Sequence, residues 1–183
     1  MIESSAEHNT RLTRTWIYLA LLIFIIGLTI FPFLGLQDFN TKGEPREAVV
    51  ASTMLESGNW ILPRNNGGET AYKPPMLHWC VAALSAPLGK VSEYTARIPS
   101  AVAATILALM TFLFFAKRSD VQQGFWASLI FLTTFEVHRA AATCRVDMLL
   151  TLFIVGALYQ LYQWYEREMK GEIGRASCRE RVF

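Results

Sequence analysis

A run of 21 consecutive uncharged residues, Trp16–Leu36, is the feature that most constrains how this chain can fold. At about 1.5 Å of rise per residue, a helix of that length crosses the roughly 30 Å of hydrocarbon in a bilayer. The run is longer than the apolar core of a signal peptide, and no small-residue cleavage motif follows it, so we expect it to stay as an anchor. It therefore predicts an integral membrane protein.

Three more apolar stretches predict further crossings, at about residues 98–116, 121–141 and 148–165, and the first and last of these carry no charge. Residues 74–89 are apolar but short and contain internal prolines, which favours an interfacial or re-entrant helix. The composition agrees, because 52% of the 183 residues are hydrophobic and only 17% are charged. We expect an all-α polytopic membrane protein with about four transmembrane helices.

Basic residues near the predicted spans indicate an orientation. If residues 74–89 do not cross, then Arg11, Arg14, Lys117 and Arg118 share one side with the end of the last span, and that side should be cytoplasmic. The loop 37–97 also carries basic residues, but long loops are exempt from this rule. We therefore expect a multi-pass membrane protein with this loop on the external or periplasmic side.

Charge and cysteine content argue against two classes of function. A net charge of +2 with scattered basic residues does not suggest a nucleic-acid-binding protein. Cys80, Cys144 and Cys178 have neither a paired spacing nor a zinc-like cluster with histidine, so they predict no disulfide framework. A divalent metal has no clear ligand spacing, and its presence stays open.

The segment 172–183, EIGRASCRERVF, differs abruptly from what precedes it. It resembles the in-frame translation of a common DNA-sequencing adapter, so we expect an artefactual, structureless tail after a helix that ends at Lys170–Gly171. A genuine basic juxtamembrane tail is the alternative. An adapter here would make 1–171 the first part of a longer membrane protein.

Residues 44–57 in the first loop have helical spacing, with Pro45 near the start and Gly58 just past the end. We expect this helix to lie along the membrane surface. Glu44, Arg46 and Glu47 open it, and the exposed amides of a helix start favour carboxylates and anions. Ordinary first-turn placement of acids is the alternative interpretation.

Other candidate residues flank the predicted spans. Lys73 and Arg97 are available to bind phosphate, and Asp147 directly precedes an uncharged span. An ionisable residue near hydrocarbon is costly unless it is paired, and Arg145 or Arg139 is the expected partner of Asp147. His78 lies beside Trp79 on the short apolar segment, where membrane anchoring is the simpler interpretation and substrate contact the alternative.

Several motifs occur in a characteristic order: GEPREAVVASTMLESGNWILP, then AYKPPMLHW, then an arginine before the second span, then RVDMLLTLF. Together with the first apolar span, they resemble the N-terminal part of the bacterial aminoarabinose (lipid A) transferases and the related protein O-mannosyltransferases. These are polytopic glycosyltransferases of the GT-C type. The resemblance covers roughly residues 16–165.

The resemblance implies many transmembrane helices, a catalytic first external loop and a polyprenyl-phosphate-sugar donor. It implies a lipid A-like glycolipid, another glycan or a protein hydroxyl as acceptor, and membrane lipid as the surroundings. Because the chain matches only the N-terminal part of such an enzyme, we expect it to be inactive alone. A non-enzymatic four-span protein, either a transporter fragment or an assembly subunit, is the alternative.

The family's first loop usually carries an Asp-Glu pair followed two residues later by arginine, and here Gly43 stands in the aspartate position. Glu44 and Arg46 match the other two positions, Lys73 matches a lysine before proline, and Asp147 matches the acid of the second external loop. The resemblance thus makes Glu44 and Asp147 the catalytic candidates, with Arg46, Lys73 and Arg97 for phosphate. The secondary candidates are Asp38, Glu47, Arg145 and His78.

Overall fold

The computed structural model describes residues 2–39, 43–65 and 68–179, and this part of the chain is all-α, as predicted. The helices are α1 (Ile2–Thr29), α2 (Gly43–Ser57), α3 (Met76–Ser85), α4 (Glu93–Arg118), α5 (Val121–Thr133), α6 (Phe135–Ala141) and α7 (Val146–Arg179). Two 3₁₀ turns, Phe31–Phe33 and Ala86–Leu88, follow α1 and α3. The chain divides into two compact units, Met1–Leu149 and Leu150–Phe183.

Three helical segments in the described part of the chain are long and apolar enough to cross a membrane: Asn9–Phe33, Glu93–Arg118 and Val146–Met169. They contain most of the first predicted span and all of the second and fourth. The first differs at its end, because α1 stops at Thr29 and not at Leu36. Pro32 accounts for this end, since proline has no amide hydrogen to continue the helical ladder.

Contacts at both ends show that α1 and α4 run antiparallel. At one end, Arg11 Nη2 donates to the carbonyl of Ala116 at 3.1 Å, and Arg14 lies 3.9 Å from Asp120. At the other end, Arg97 Nη1 donates to the carbonyl of Leu34 at 2.7 Å. The N-terminal arginines and the turn after α4 therefore share one side of this unit, as predicted, and Arg97 lies on the opposite side.

The third predicted span, 121–141, is not one helix: α5 ends at Thr133 and α6 begins at Phe135. Thr134 has φ −59° and ψ 124°, which is not helical. The hydroxyls of Thr133 and Thr134 donate to carbonyls four residues earlier, a bonding pattern that bends helices. The two helices still lead from the Asp120 turn back to the Arg97 end, so a fourth crossing stays a prediction.

The end of α7 differs from the prediction that the last helix ends at Lys170–Gly171. The backbone stays helical past Lys170–Gly171 as far as Arg179, so the segment predicted to be structureless is helical in its described part. The segment contains no proline, and its glutamate, arginine and alanine residues are good helix formers that outweigh its single glycine. Residues 180–183 lie outside the described part, and the origin of the segment stays a prediction.

The first loop folds into two packed helices. As predicted, α2 covers Gly43–Ser57, and Gly58, with φ +68°, terminates it because glycine adopts this left-handed conformation without a Cβ clash. α3 is short, with 10 residues before its 3₁₀ turn, which agrees with a helix too short to span. The buried side chains between α2 and α3 include Met54, Leu77 and Val81, and Cys144 from the loop before α7 joins them.

Candidate functional site

The start of α2 and the loop before α7 meet at the Arg97 end of the first unit. The buried side chain of Glu44, in the first turn of α2, accepts a hydrogen bond at Oε1 from the backbone N–H of Cys144 at 2.8 Å. That contact joins positions 100 residues apart and places the Thr143–Asp147 segment against the first loop. The thiol of Cys144 is buried as well, and burial raises its pKa to about 12.

Arg97 holds the same junction together and is itself only 4% exposed. Its guanidinium donates from Nε to Glu44 Oε1 at 3.0 Å, from Nη1 to the carbonyls of Leu34 and Gln37 at 2.7 Å each, and from Nη2 to the carbonyl of Asp38 at 3.1 Å. Arginine suits this position because its planar fork presents several donors in fixed directions. The end of the first span is thereby tied to the start of α2.

These contacts decide what Glu44 and Arg97 can do. Both side chains are almost fully buried, and the guanidinium is already engaged with protein acceptors and lies 5.4 Å from the ring of Phe39. A phosphate would have to displace several hydrogen bonds to reach Arg97. The geometry therefore suits Glu44 and Arg97 to positioning the loop, while their predicted contact with substrate stays a prediction.

A second charged cluster surrounds Glu47, one turn further along α2. Its carboxylate accepts from His78 Nε2 at 2.7 Å on Oε2, and Oε1 lies 3.1 Å from Lys73 Nζ and 3.4 Å from Arg46 Nη2. The side chain of Glu47 is 3% exposed, whereas those of Lys73 and Arg46 are 30% and 47% exposed. A buried anion thus holds two cations that remain open to solvent on their other sides.

The charge state of Glu47 follows from these neighbours. Burial alone would raise its pKa, but hydrogen bonds from His78 and Lys73, and the charge of Lys73, lower the pKa from 4.5 to about 2. Glu47 is therefore ionised near neutral pH. A carboxylate can only accept, so the hydrogen in its contact with His78 belongs to Nε2.

The exposed sides of this cluster line a shallow pocket. Its walls are Arg46, Glu47, Val50, Asn65, Ala71, Tyr72 and Lys73. The pocket is open to solvent and far smaller than the roughly 300–1,000 Å³ of a typical small-molecule site. Two cations and one carboxylate at an open pocket can bind a small anionic group such as phosphate, but the pocket does not enclose a whole glycolipid.

Asp147 lies at the start of α7 and its side chain is 56% exposed. Arg145, one of its two predicted partners, pairs with it: Arg145 Nε lies 3.2 Å from Asp147 Oδ2. Arg139, the other candidate, pairs with Glu136 at 2.6 Å. The Asp38 carboxylate is exposed, and only its backbone carbonyl contributes to the Arg97 contacts. Among the described residues, no three His, Cys, Asp or Glu side chains group as a metal site.

His78 is the residue whose surroundings the sequence interpretation missed. It is fully buried against Glu47 and is not at an exposed, membrane-facing position. A signal was present, because the buried α3 residues Leu77, His78, Val81, Ala82 and Ser85 recur at helical spacing. Its neighbour Trp79 is 41% exposed and ties down the loop by donating Nε1–H to the carbonyl of Trp60 at 2.7 Å.

The chain is similar to known proteins over most of its length. Residues 72–173, which is 102 of the 183 residues, match the family described as dolichyl-phosphate-mannose-protein mannosyltransferase. The chain is also similar to a protein named undecaprenyl phosphate-alpha-4-amino-4-deoxy-L-arabinose arabinosyl transferase from Shewanella sediminis (strain HAW-EB3). The two are 32% identical over 135 residues, which is 74% of this chain and 24% of the relative.

Relatives with the same name in other bacteria are similar over comparable lengths of the chain. The protein from Pseudomonas savastanoi pv. phaseolicola is 31% identical over 73% of this chain and 25% of its own length. The protein from Enterobacter sp. (strain 638) is 26% identical over 85% of this chain and 28% of its own length. The chain thus spans about a quarter of the length of these relatives. No solved structure matches the chain significantly.

Proposed function

The chain belongs to the dolichyl-phosphate-mannose-protein mannosyltransferase family. We propose that it forms the part of a glycosyltransferase active site that binds the phosphate of the sugar donor. The donor is a sugar carried on a polyprenyl phosphate, as the names of the similar bacterial proteins indicate for those proteins. The acceptor is a hydroxyl of a lipid A-like glycolipid, another glycan or a protein. The site faces the external side of the bacterial inner membrane, and the N-terminus is cytoplasmic.

One observation carries the proposal: two partly exposed cations, Lys73 and Arg46, flank a buried carboxylate at the end of a membrane-spanning unit. A lipid-linked phosphate is restricted to the membrane boundary, where this end of α1 and α4 would lie. Displacement of the phosphate from the sugar carbon builds negative charge on the leaving oxygen. Positioned cations in a site of low dielectric stabilise such charge better than water does.

The acid that faces this pocket is Glu47, so we assign it the role that the motif comparison suggested for Glu44. With a pKa of about 2, Glu47 is a weak proton acceptor while Lys73 contacts it. When Lys73 turns to the donor phosphate, the carboxylate loses a cation and burial makes it more basic. It can then orient or deprotonate the acceptor hydroxyl as the donor binds.

Asp147 is the second acid of the proposal, since the Cys144–Glu44 contact brings its segment to the same end of the unit. Its side chain is exposed and paired with Arg145, so it can reach an acceptor that approaches from solvent. Attack on the side of the anomeric carbon opposite the phosphate gives inversion. Each of these roles concerns the complete site, of which the chain supplies the first loop and its neighbours.

The test is sugar transfer in membranes that contain the protein translated from the whole reading frame to which this chain belongs. We expect Glu47→Gln and Lys73→Gln each to lower transfer from a polyprenyl-phosphate donor by at least tenfold. Glu69→Gln is the matched control, because Glu69 is an exposed acid in the same loop that contacts Tyr72. Unchanged transfer in both variants, at equal amounts of protein in the membrane, would overturn the proposal.

A further inference from the structure

His78 is the most deeply buried member of the Glu47 cluster and has a feature that packing alone does not explain. Its exposed fraction is 0%, and its Nδ1 is the buried side-chain nitrogen or oxygen that lacks a hydrogen-bond partner among the described residues. Leaving a buried polar atom unpaired costs free energy. An apolar side chain would avoid that cost, so the Nε2 contact with Glu47 is the interaction that a histidine provides here.

The two oxygens of the Glu47 carboxylate have different kinds of partner. His78 holds Oε2 from the buried side at 2.7 Å, while Lys73 and Arg46 approach Oε1 from the pocket side. The sequence separation is 31 residues for the His78 contact, so it also joins α3 to α2. A ligand in the pocket can therefore compete for the two cations without touching the contact with His78.

From this arrangement we infer that His78 is a positioning residue: it keeps the Glu47 carboxylate in place while Lys73 is exchanged between that carboxylate and an anionic ligand. The identity of the ligand, a phosphate group, rests on the proposed function. The role of His78 in holding Glu47 next to Lys73 does not. Before the ligand binds, the hydrogen bond from His78 orients the Glu47 carboxylate so that Oε1 faces Lys73. After the exchange, His78 is the donor that keeps the buried carboxylate hydrogen-bonded.

The surrounding groups are consistent with this division of roles. The other buried acid of α2, Glu44, bonds to Arg97 and to the amide of Cys144. Within the described residues, Glu47 contacts His78, Lys73 and Arg46. Loss of the His78 donor would leave the carboxylate held only by two flexible, partly exposed side chains.

The test is the reactivity of Lys73 toward an amine-acylating reagent, quantified by mass spectrometry on the whole chain in nanodiscs. Lys90, which is exposed, serves as the internal reference. An ammonium held against a carboxylate is shielded, so Lys73 should label slowly relative to Lys90 in the unchanged chain. His78→Phe, which keeps the ring but removes Nε2, should raise the Lys73-to-Lys90 ratio at least threefold.

His78→Gln places an amide N–H near the Nε2 position and should keep the ratio within about twofold of the unchanged chain. Glu47→Gln should raise the ratio as much as His78→Phe, and the double variant should add nothing further. If His78→Phe does not fold, the contrast between His78→Gln and Glu47→Gln decides the question. Equal labelling of Lys73 in all variants, or His78→Gln behaving like Glu47→Gln, would overturn the inference.

A second arm separates this inference from the proposed function. Undecaprenyl phosphate added to the nanodiscs should slow labelling of Lys73, whereas inorganic phosphate and undecaprenol, which lacks the phosphate, should not. If the labelling of Lys73 depends on His78 but undecaprenyl phosphate does not slow it, the positioning role stands and the proposed ligand is rejected. Protection by inorganic phosphate alone would identify a free anion as the ligand, and would equally reject the lipid-linked donor.

Discussion

Arg97 and Glu44 form a buried ion pair, with Nε and Oε1 3.0 Å apart and side chains 4% and 1% exposed. The pair links the start of α4 to the start of α2 across 53 positions of sequence. Each partner has further bonds, Arg97 to the carbonyls that end the first span and Glu44 to the amide of Cys144. The pair is therefore the junction on which the first loop, the second loop and the end of α1 all depend.

Substitution of Arg97 should lower stability more than any other single change in the loop. Removing one partner from a buried charge pair typically costs about 3–5 kcal/mol, because the remaining charge stays buried without compensation. We expect Arg97→Gln to show a loss of this size in thermal unfolding in detergent. Arg97→Lys should also destabilise, since an ammonium cannot reproduce the fork of donors.

The control for that prediction is Arg64→Lys. Arg64 is exposed and donates to the carbonyl of Gly68, so the change should stay within about 0.5 kcal/mol of the unchanged chain. If Arg97→Gln unfolds at the same temperature as Arg64→Lys, the guanidinium network does not stabilise the loop.

Acid should remove a contribution that Glu47 makes to stability. Its pKa is about 2 in the folded chain and 4.5 as the reference value, so the stabilisation is fully present above about pH 4.5 and is lost as the pH falls toward 2. The difference in unfolding temperature between the unchanged chain and Glu47→Gln should therefore be largest at pH 6 and shrink between pH 4.5 and 2. A difference that stays constant over that range would mean that Glu47 is not held by its cationic neighbours.

Gly124 should tolerate no side chain. A Cβ at this position would lie 2.7 Å from the carbonyl oxygen of Phe112 and 3.0 Å from the amide nitrogen of Ala116, so α5 packs directly on the backbone of α4. Ser128 Oγ continues this contact by donating to the carbonyl of Ala108 at 2.9 Å. Gly124→Ala should cost about 1–3 kcal/mol, the range for overpacking, in the same unfolding measurement.

Gly27→Ala is the matched control for this helix contact. Gly27 lies within α1, and a Cβ there meets nothing within 4 Å. Because alanine favours a helix by up to about 1 kcal/mol over glycine, Gly27→Ala should be neutral or stabilising. Equal effects of the two substitutions would show that α4 and α5 do not approach as closely as described.

Local sequence signals predicted the parts of this structure that depend on neighbouring residues. Pro45 and Gly58 mark the ends of α2 because their effects on backbone conformation are local. Arg145 and Asp147 are two positions apart, so their pairing could also be anticipated. The spans followed from uncharged runs, since hydrocarbon excludes charge over a fixed length.

Contacts that join distant positions could not be predicted in this way. Nothing near Glu44 in the sequence indicates that its partner is Arg97, and the sequence placed His78 at the membrane surface because tryptophan follows it. The break at Thr134 was missed because apolar content alone does not report hydroxyl groups that compete for the helical carbonyls. The packing of α2 against α3 determines that Glu47 lines the pocket, and a catalytic role for Glu44 or Glu47 stays a proposal.

A phosphate site at Lys73 and Arg46 can be tested directly by native mass spectrometry, which compares the binding of undecaprenyl phosphate and undecaprenol to the chain in nanodiscs. We expect a preference for undecaprenyl phosphate that falls at least tenfold in Lys73→Gln and in Arg46→Gln but is unchanged in Lys90→Gln. Equal binding of the two lipids, or a preference that survives both substitutions, would contradict a phosphate site at Lys73, Arg46 and Glu47.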